Sequence, residues 1–199
     1  MPLVIPPDPI VRFLEVFAAA KALGAPLIPE PTAMTLATVS GAGQPSARIV
    51  LLKGVDQEGF VFYTNFESRK GNELLANPAA ALCFHWAPLE VQVRVEGAVA
   101  GVTTDEANAY FKTRPRISQL GAWASHQSKV IPPTEDLQAR LLAAEKRFEG
   151  GDVPRPPNWS GFRLAPHRME FWKNRPFRLH ERHLYTRTDL SWQIETLFP

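Results

Sequence analysis

The segment Arg48–Lys53 (RIVLLK) has a cation at each end of four apolar, β-forming residues. The apolar run predicts a strand that is buried on both faces. Because an unpaired buried cation is costly, Arg48 and Lys53 are expected to have anionic partners. The two cations lie five positions apart, so alternation along a strand puts them on opposite faces. This strand could therefore address two anions, or two parts of one site.

A second group of cations follows the predicted strand Gly59–Asn65. Ser68 is a suitable N-cap for a helix that runs to about Asn77, with Arg69 and Lys70 in its first turn. Cations are disfavoured at a helix N-terminus unless an anion also lies there. Free backbone N–H groups, a hydroxyl and two cations together favour a phosphate site. The alternative is a solvated basic turn.

Tyr110, Arg114 and Ser118 follow one another at intervals of four residues. On a continuous helix they would share one face, although Pro115 makes the alignment only approximate. A phenol, a guanidinium and a hydroxyl together suit a phosphate dianion. The alternative is an ordinary surface face, with the tyrosine packed on its neighbour.

A further basic cluster lies in the segment RLHER. On a strand, Arg178, His180 and Arg182 would face one way and Leu179 the other. Two arginines beside a histidine repel one another unless an electron-rich ring or a phenolate lies between them. The alternative is a solvated edge strand. The remaining four histidines lack metal-ligand spacing, and no nucleotide-binding loop or nucleophile motif is present.

Composition limits the class of protein. The chain has 199 residues, a hydrophobic fraction of 45% and a net charge of +2, which does not indicate a nucleic-acid partner. Cys83 is the only cysteine, so no disulfide forms within the chain and a cytoplasmic location is expected. The N-terminus does not resemble a signal peptide, and no apolar run is long enough to cross a bilayer.

The predicted elements indicate a mainly β protein with helices, of the α+β class, in a single domain over residues 1–199. Residues 1–30 supply an N-terminal helix, Asp8–Leu23, and a stiff linker. Short turns join the predicted strands, which indicates an antiparallel barrel. These strands are Met34–Val39, Ala47–Val55, Phe60–Thr64, Ala79–Trp86, Leu89–Val102, Gly161–Leu164, Arg168–Trp172, Phe177–Arg187 and Trp192–Leu197. One helix is predicted to begin at the capping box of Thr103 and Glu106 and to end before Pro115. Two others are predicted over ISQLGAW and from an N-cap at Thr134 to about Phe148.

Several long segments occur in an order that resembles the pyridoxine/pyridoxamine 5′-phosphate oxidase family. They are RIVLLK, FYTNFESRKGNEL, YFKTRPRISQLGAWAS, HQS, EFW and RLHER, and the resemblance runs from about Pro31 to Pro199. It implies a homodimer of FMN-binding split β-barrels, with FMN at the subunit interface. It also implies oxidation of pyridoxine or pyridoxamine phosphate to pyridoxal phosphate, with molecular oxygen reduced to hydrogen peroxide.

The resemblance also assigns roles to individual residues. FMN would be held by Arg48, Ile49, Val50, Leu51, Leu52, Lys53, Tyr63, Thr64, Arg69, Lys70, Gln127, Ser128, Trp172 and Arg182, with Gln92 contributed by the partner subunit. The substrate would contact Lys53, Tyr110, Arg114, Ser118, Arg178, Leu179 and His180. Arg178 and His180 would be the catalytic pair, covering the substrate's pyridine ring and its phenolic oxygen.

Three departures from the family pattern accompany the resemblance. Met1–Pro7 is short and has no tyrosine or arginine to close over the substrate, Glu30 replaces an aspartate, and Val91 replaces an arginine. Two other functions remain open on the sequence. One is a related flavin oxidase of the phenazine-biosynthesis type, and the other is a non-catalytic protein that binds flavin or pyridoxal phosphate.

Overall fold

The computed structural model describes residues 5–199. The first helix begins after Asp8, whose carboxylate accepts the Ile10 N–H at 2.7 Å, with Pro9 at the first helical position. The helices in the described range are α1 Pro9–Leu23, α2 Arg69–Ala76, α3 Thr104–Thr113, α4 Arg116–Ala124 and α5 Leu137–Arg147. No helix in that range is both long enough and apolar enough to cross a membrane.

The strands form one curled antiparallel sheet with the order β2-β1-β5-β6-β7-β4-β3, and β8 and β9 continue from β7. They are β1 Ala33–Val39, β2 Pro45–Leu51, β3 Gly54–Asp56, β4 Gly59–Asn65, β5 Ala79–Trp86, β6 Val91–Gly101, β7 Trp159–Lys173, β8 Glu181–Arg187 and β9 Trp192–Thr196. The long strand β7 pairs with β4 through its first half and with β8 through its second half. A register shift between Glu96 and Gly97 of β6 accompanies this change of partner.

Two hydrophobic clusters support the fold. The larger one fills the concave side of the sheet and is closed by α1, where Phe13 lies 4.9 Å from Phe60 and 5.0 Å from Phe84 between ring centroids. The smaller one joins α3, α4 and α5, which we call the helical unit, to the start of β7 through Phe111, Leu120 and Trp159. The helical unit therefore stands beside the sheet and forms a wall next to β4.

The expectation that RIVLLK is buried on both faces is wrong for the single chain. β2 is an edge strand that pairs only with β1 in the described chain, and Ile49 is 63% exposed. The predicted strand Ala47–Val55 is also interrupted, because Leu52 and Lys53 lie between β2 and β3. The apolar run gives the strand its conformation, but it contains no information about which strands lie beside it.

Three other element boundaries differ from expectation. The helix predicted to begin at Thr134 begins after Asp136, whose carboxylate accepts the Gln138 N–H at 2.9 Å. The two strands predicted within 161–172 are one strand, β7. RLHER is not a continuous strand: Phe177 and Arg178 form a tight turn with φ of 59° and 62°, and β8 begins at Glu181.

A buried carboxylate ties α2 to β1 and β2. Glu73 is 6% exposed and accepts hydrogen bonds from Thr38 at 2.5 Å, Ser46 at 2.6 Å, Arg69 at 2.9 Å and Arg48 at 3.0 Å. Burial alone would raise the pKa of this carboxyl, but the four donors outweigh it and lower the pKa to about 2. The edge strand is therefore held to α2 by an ionised group.

This network should make the protein sensitive to acid. A carboxyl whose pKa is lowered by folding stabilises the protein above its unfolded pKa, and that contribution is lost as the pH falls. The pKa of Glu73 drops from 4.5 to about 2, so on the order of 3 kcal/mol should disappear between pH 5 and pH 2. The free energy of unfolding can be measured by urea titration at a series of pH values. In Glu73→Gln it should fall less steeply between pH 5 and pH 2 than in the parent.

Glu145→Gln is the matched control, because Glu145 is exposed on α5 and forms no salt bridge within residues 5–199. In this variant the free energy of unfolding should fall as steeply below pH 5 as it does in the parent. An equally steep fall in Glu73→Gln would show that another group controls acid stability.

Candidate active site: a cationic cavity between the sheet and the helical unit

A cavity of about 670 Å³ lies where the edge strand β2 and strand β4 face the helical unit. The sheet and the break after β2 contribute Ile49, Val50, Leu51, Lys53, Tyr63, Thr64, Asn65 and Trp159. The helical unit and the loop after it contribute Tyr110, Thr113, Arg114, Pro115, Ser118, Gly121, Ala122, Ser125 and Gln127, and α2 contributes Lys70. A volume of this size accommodates a small organic molecule.

Three aromatic rings form a parallel stack along one side of the cavity. The Tyr63 and Tyr110 ring centroids are 4.0 Å apart with an interplanar angle of 11°, and Tyr63 lies 5.4 Å from Trp159 at 5°. Burial, followed by the charge of Glu106, raises the pKa of the Tyr63 phenol. The stack gives the cavity a rigid, flat side that links β4, α3 and β7.

Arg114 enters this cavity without a protein anion. Its guanidinium carbon lies 4.7 Å from the Trp159 ring and 5.4 Å from the Phe111 ring. Its Nη1 atom is buried and has no hydrogen-bond partner in the part of the chain that the structure describes. Burial lowers the pKa of the guanidinium. A buried donor without a partner is costly, so this nitrogen marks the place of an absent acceptor.

Lys53 and Ser118 line the same cavity as Arg114. Lys53 lies in the short break between β2 and β3. Its backbone N–H donates to the Val61 carbonyl at 2.8 Å, which fixes its backbone beside β4. Ser118 lies in the first turn of α4, where its N–H donates to the Pro115 carbonyl at 2.8 Å. The four-residue spacing thus brings Tyr110, Arg114 and Ser118 to one cavity, although Pro115 breaks the helix between them.

Lys70 forms the second cationic point of the cavity. Its Nζ donates to Thr64 Oγ1 at 3.1 Å, to Gln127 Oε1 at 3.1 Å and to Ser68 Oγ at 3.4 Å. All three acceptors are neutral, and no salt bridge to Lys70 occurs among residues 5–199. Burial, and then the charge of Arg48, lowers the pKa of this ammonium. A partly buried ammonium among neutral acceptors at a helix N-terminus suits a phosphate.

Several predicted cofactor residues do not line this cavity, namely Arg48, Leu52, Arg69 and Ser128. Leu52 belongs to the core and is 3% exposed. Arg48 and Arg69 both bind Glu73, so the expected anion of these two cations is a carboxylate of the chain itself. Ser128 lines a neighbouring cavity of about 420 Å³, which shares Ser125 and Gln127 with the first.

The remaining predicted residues form a second group, away from the cavity, at one end of β6, β7 and β8. Gln92 pairs with Trp172 across β6 and β7, and Trp172 pairs with Arg182 across β7 and β8. The His180 ring lies 4.6 Å from Trp172 between centroids. None of these residues, nor Arg178 or Leu179, lines the cavity. The expectation that Arg178, His180 and Arg182 share one strand face fails because Arg178 lies in the turn before β8.

The hydrogen bonds of this second group define its chemistry. His180 Nδ1 accepts the Arg175 backbone N–H at 3.3 Å, so in the neutral ring the proton is on Nε2. Arg182 Nε donates to Glu170 at 2.7 Å. Phe177 is 92% exposed and Leu179 is 66% exposed in the single chain. The turn therefore exposes two apolar side chains beside the half-buried His180.

Sequence reasoning missed the cavity residues Asn65, Thr113, Ala122, Ser125 and Trp159. Trp159 is the most consequential of them, since it contacts both Tyr63 and Arg114. It lies 45 residues after Arg114 in the chain, with no periodic relation to it. The adjacent loop rich in proline and glycine was its only local signal.

Comparisons with known proteins identify the family of the chain. Residues 22–173 match the family model described as pyridoxamine 5′-phosphate oxidase. Residues 159–199 match the model described as the pyridoxine 5′-phosphate oxidase C-terminal dimerisation region. The chain is 55% identical over 195 residues to a pyridoxine/pyridoxamine 5′-phosphate oxidase of Myxococcus xanthus, covering 98% of this chain and 93% of that protein. It is 56% identical over 170 residues to one from Zymomonas mobilis, covering 85% and 88%.

Among solved structures, PhzG from Burkholderia lata, in complex with tetrahydrophenazine-1-carboxylic acid, has a TM-score of 0.90 and 31% identity. The match covers 98% of this chain and 94% of that one. The fold predicted from the sequence, an antiparallel split barrel with peripheral helices, is confirmed. With matches over nearly its whole length, the chain belongs to the pyridoxine/pyridoxamine 5′-phosphate oxidase family.

Proposed function

We propose that this protein uses FMN to oxidise pyridoxamine or pyridoxine 5′-phosphate to pyridoxal 5′-phosphate, with oxygen reduced to hydrogen peroxide. Family membership supports the activity. The observation that carries the substrate assignment is the buried, unpaired Nη1 of Arg114 in a cavity that also contains Lys53 and Ser118. Two cations and a hydroxyl converge there with no carboxylate among the lining residues, which suits a dianion.

The substrate phosphate would lie against the helical unit in this proposal. Arg114 offers a planar fork that can donate two hydrogen bonds to one phosphate, while Lys53 acts as a point charge from the opposite wall. Ser118 and Tyr110 add hydroxyl donors. Because Lys53 and Arg114 come from different structural units, a phosphate between them would fix the pyridine ring relative to both walls.

The residues around Lys70 fit the phosphate of FMN. Lys70 is partly buried, lacks a protein anion among the described residues, and lies at the N-terminus of α2. Thr64 and Gln127, which now accept from Lys70, would also contact the cofactor. Arg48 would act at longer range, since its Nη groups donate to Leu36, Thr38, Ser46 and Glu73. Arg69 gives Glu73 its Nε, and its two Nη groups could still reach the phosphate. When bound, FMN supplies the acceptor for the hydride that leaves the substrate's C4′.

The second group of residues would complete the site from the other subunit of a homodimer. Gln92, Trp172, Arg178 and His180 lie away from the cavity of their own chain, and all but Gln92 fall within the segment matched as a dimerisation region. In a two-fold dimer each subunit can present this group to its partner's cavity. The exposed Phe177 and Leu179 beside it are consistent with burial by a partner.

In such a dimer, Arg178 and His180 would act on the substrate ring. The Nε2–H of His180 would donate to the phenolic oxygen, because Nδ1 is already held by the Arg175 N–H. Arg178 would lie against the ring and keep the reacting carbon oriented. Interactions that strengthen as the aldehyde forms would lower the barrier.

The single free cysteine, Cys83, is consistent with a cytoplasmic location.

A related activity on a phenazine-type carboxylic acid is the second candidate, because the fold is shared with PhzG. The two cations Arg114 and Lys53, with the hydroxyl of Ser118, favour a phosphate dianion over a single carboxylate. The chain is 55% identical to a pyridoxine/pyridoxamine 5′-phosphate oxidase and 31% identical to PhzG, which favours the same substrate. Peroxide release from a reduced phenazine carboxylate, with none from pyridoxamine phosphate, would reverse the order of the two candidates.

Lys70→Ala should weaken FMN binding by about one to two decades, because a charge-assisted contact to phosphate is lost. Riboflavin has no phosphate, so its dissociation constant should not change. Flavin fluorescence quenching measures both constants. Lys112→Ala, at an exposed position of α3, is the control and should affect neither flavin. Equal losses for FMN and riboflavin would mean that Lys70 supports the fold and does not bind the phosphate.

Arg114→Ala should raise the KM for pyridoxamine 5′-phosphate by about one to two decades while the FMN content stays normal. The assay is peroxide release by the purified holoenzyme. Arg116→Ala is the matched control, because Arg116 is exposed and donates to the backbone carbonyls of Gly151 and Phe148. Loss of FMN from Arg114→Ala would show that the two phosphate sites have been interchanged.

A further inference from the structure

Trp159 occupies the junction between the two units that form the cavity. It is the first residue of β7, is 7% exposed, and pairs with Asn65 of β4. Its ring stacks parallel to Tyr63 at 5.4 Å and packs edge-on against Phe111 of α3 at 5.0 Å. The indole is therefore fixed from both sides, by the sheet and by the helical unit.

The guanidinium of Arg114 lies nearer to that indole than to the Phe111 ring, which is 5.4 Å away. Its carbon lies 4.7 Å from the Trp159 ring, and its side chain donates no hydrogen bond to residues 5–199. Other partly buried arginines are oriented by a carboxylate or a carbonyl. Arg163 donates to Asp56 at 2.6 Å, and Arg155 donates to the backbone carbonyl of Trp159. A ring face attracts a guanidinium without using any of its N–H groups.

We propose that Trp159 is the positioning residue of the substrate-phosphate site, holding the Arg114 fork toward the cavity with its donors free. This inference rests on the proposed function, in which Arg114 binds the substrate phosphate. A carboxylate in the same place would neutralise the charge and occupy the donors that the phosphate needs. An aromatic face orients the cation and leaves its charge available.

Trp159→Leu removes the ring face and keeps an apolar side chain at this buried position. The variant should raise the KM for pyridoxamine 5′-phosphate about ten-fold and change kcat by less than about two-fold. Trp159→Phe keeps a smaller ring and should recover most of the affinity. Trp123→Leu is the control, because Trp123 holds Arg147 in the same way, at 4.5 Å, outside the cavity. It should leave the KM within about two-fold of the parent.

A double-mutant cycle separates positioning from general packing. In an Arg114→Ala background, Trp159→Leu should add less than about two-fold to the KM, since the cation it positions is gone. A further ten-fold rise in that background would overturn the proposal, as would an unchanged KM in Trp159→Leu alone. If Trp159→Leu does not fold with FMN, Trp159→Phe is compared in the same two backgrounds, with a smaller but equally non-additive rise expected.

A binding measurement keeps this inference distinct from the proposed activity. Equilibrium dialysis of the holoenzyme with 4-deoxypyridoxine 5′-phosphate and with 4-deoxypyridoxine gives the contribution of the phosphate, without any oxidisable group. Trp159→Leu should reduce the ratio of the two affinities about ten-fold. An unchanged ratio would refute the positioning role. Absence of peroxide from the parent with pyridoxamine phosphate would instead refute the proposed function.

Discussion

The unpaired guanidinium of Arg114 at the cavity is the interaction that most restricts what this protein can bind. Two buried carboxylates neutralise four other arginines, since Glu73 and Glu170 are each 6% exposed and each accepts from two of them. Arg114 and Lys70 are partly buried, form no salt bridge among residues 5–199, and both face one cavity. Leaving them unpaired costs free energy, and a bound anion recovers it.

Different parts of the fold carry these two cations and keep them apart. Lys70 is carried by α2 at the end of β4, while Arg114 is carried by the helical unit. The parallel stack of Tyr63, Tyr110 and Trp159 joins these supports. Two separated anion sites with an aromatic wall suit a phosphorylated cofactor and a phosphorylated substrate whose rings must meet. The hydride chemistry belongs to the cofactor, and the protein supplies position and charge.

Much of the site could be predicted where the signal is local. The Ser68 cap and the four-residue spacing of Tyr110, Arg114 and Ser118 depend on short-range geometry, and the structure brings the latter three to one cavity. Long-range partners could not be predicted. Nothing in RIVLLK indicates that Glu73, 25 residues later than Arg48, would take its guanidinium.

The same limit explains the failure at RLHER. Period-two alternation assumes a continuous strand, but positive φ angles at Phe177 and Arg178 turn the chain before β8 begins. Pro176 was the local signal for that turn. Burial is also a tertiary property, so the apolar run of β2 could not reveal that the strand lies at an edge. In a dimer, part of that edge and of the exposed turn would be covered by the second subunit.

In the proposed dimer, Arg178 and His180 of one subunit complete the cavity of the other. Co-expression of Arg114→Ala and Arg178→Ala chains with different affinity tags allows the mixed dimer to be purified. One of its two sites then has both residues intact. At a pyridoxamine phosphate concentration near the parent's KM, where the Arg114→Ala variant is slow, peroxide release should recover to about half of the parent's rate per dimer. If the mixed dimer is as slow as the two variants alone, each site is built from a single chain and the proposed sharing of residues between subunits is wrong.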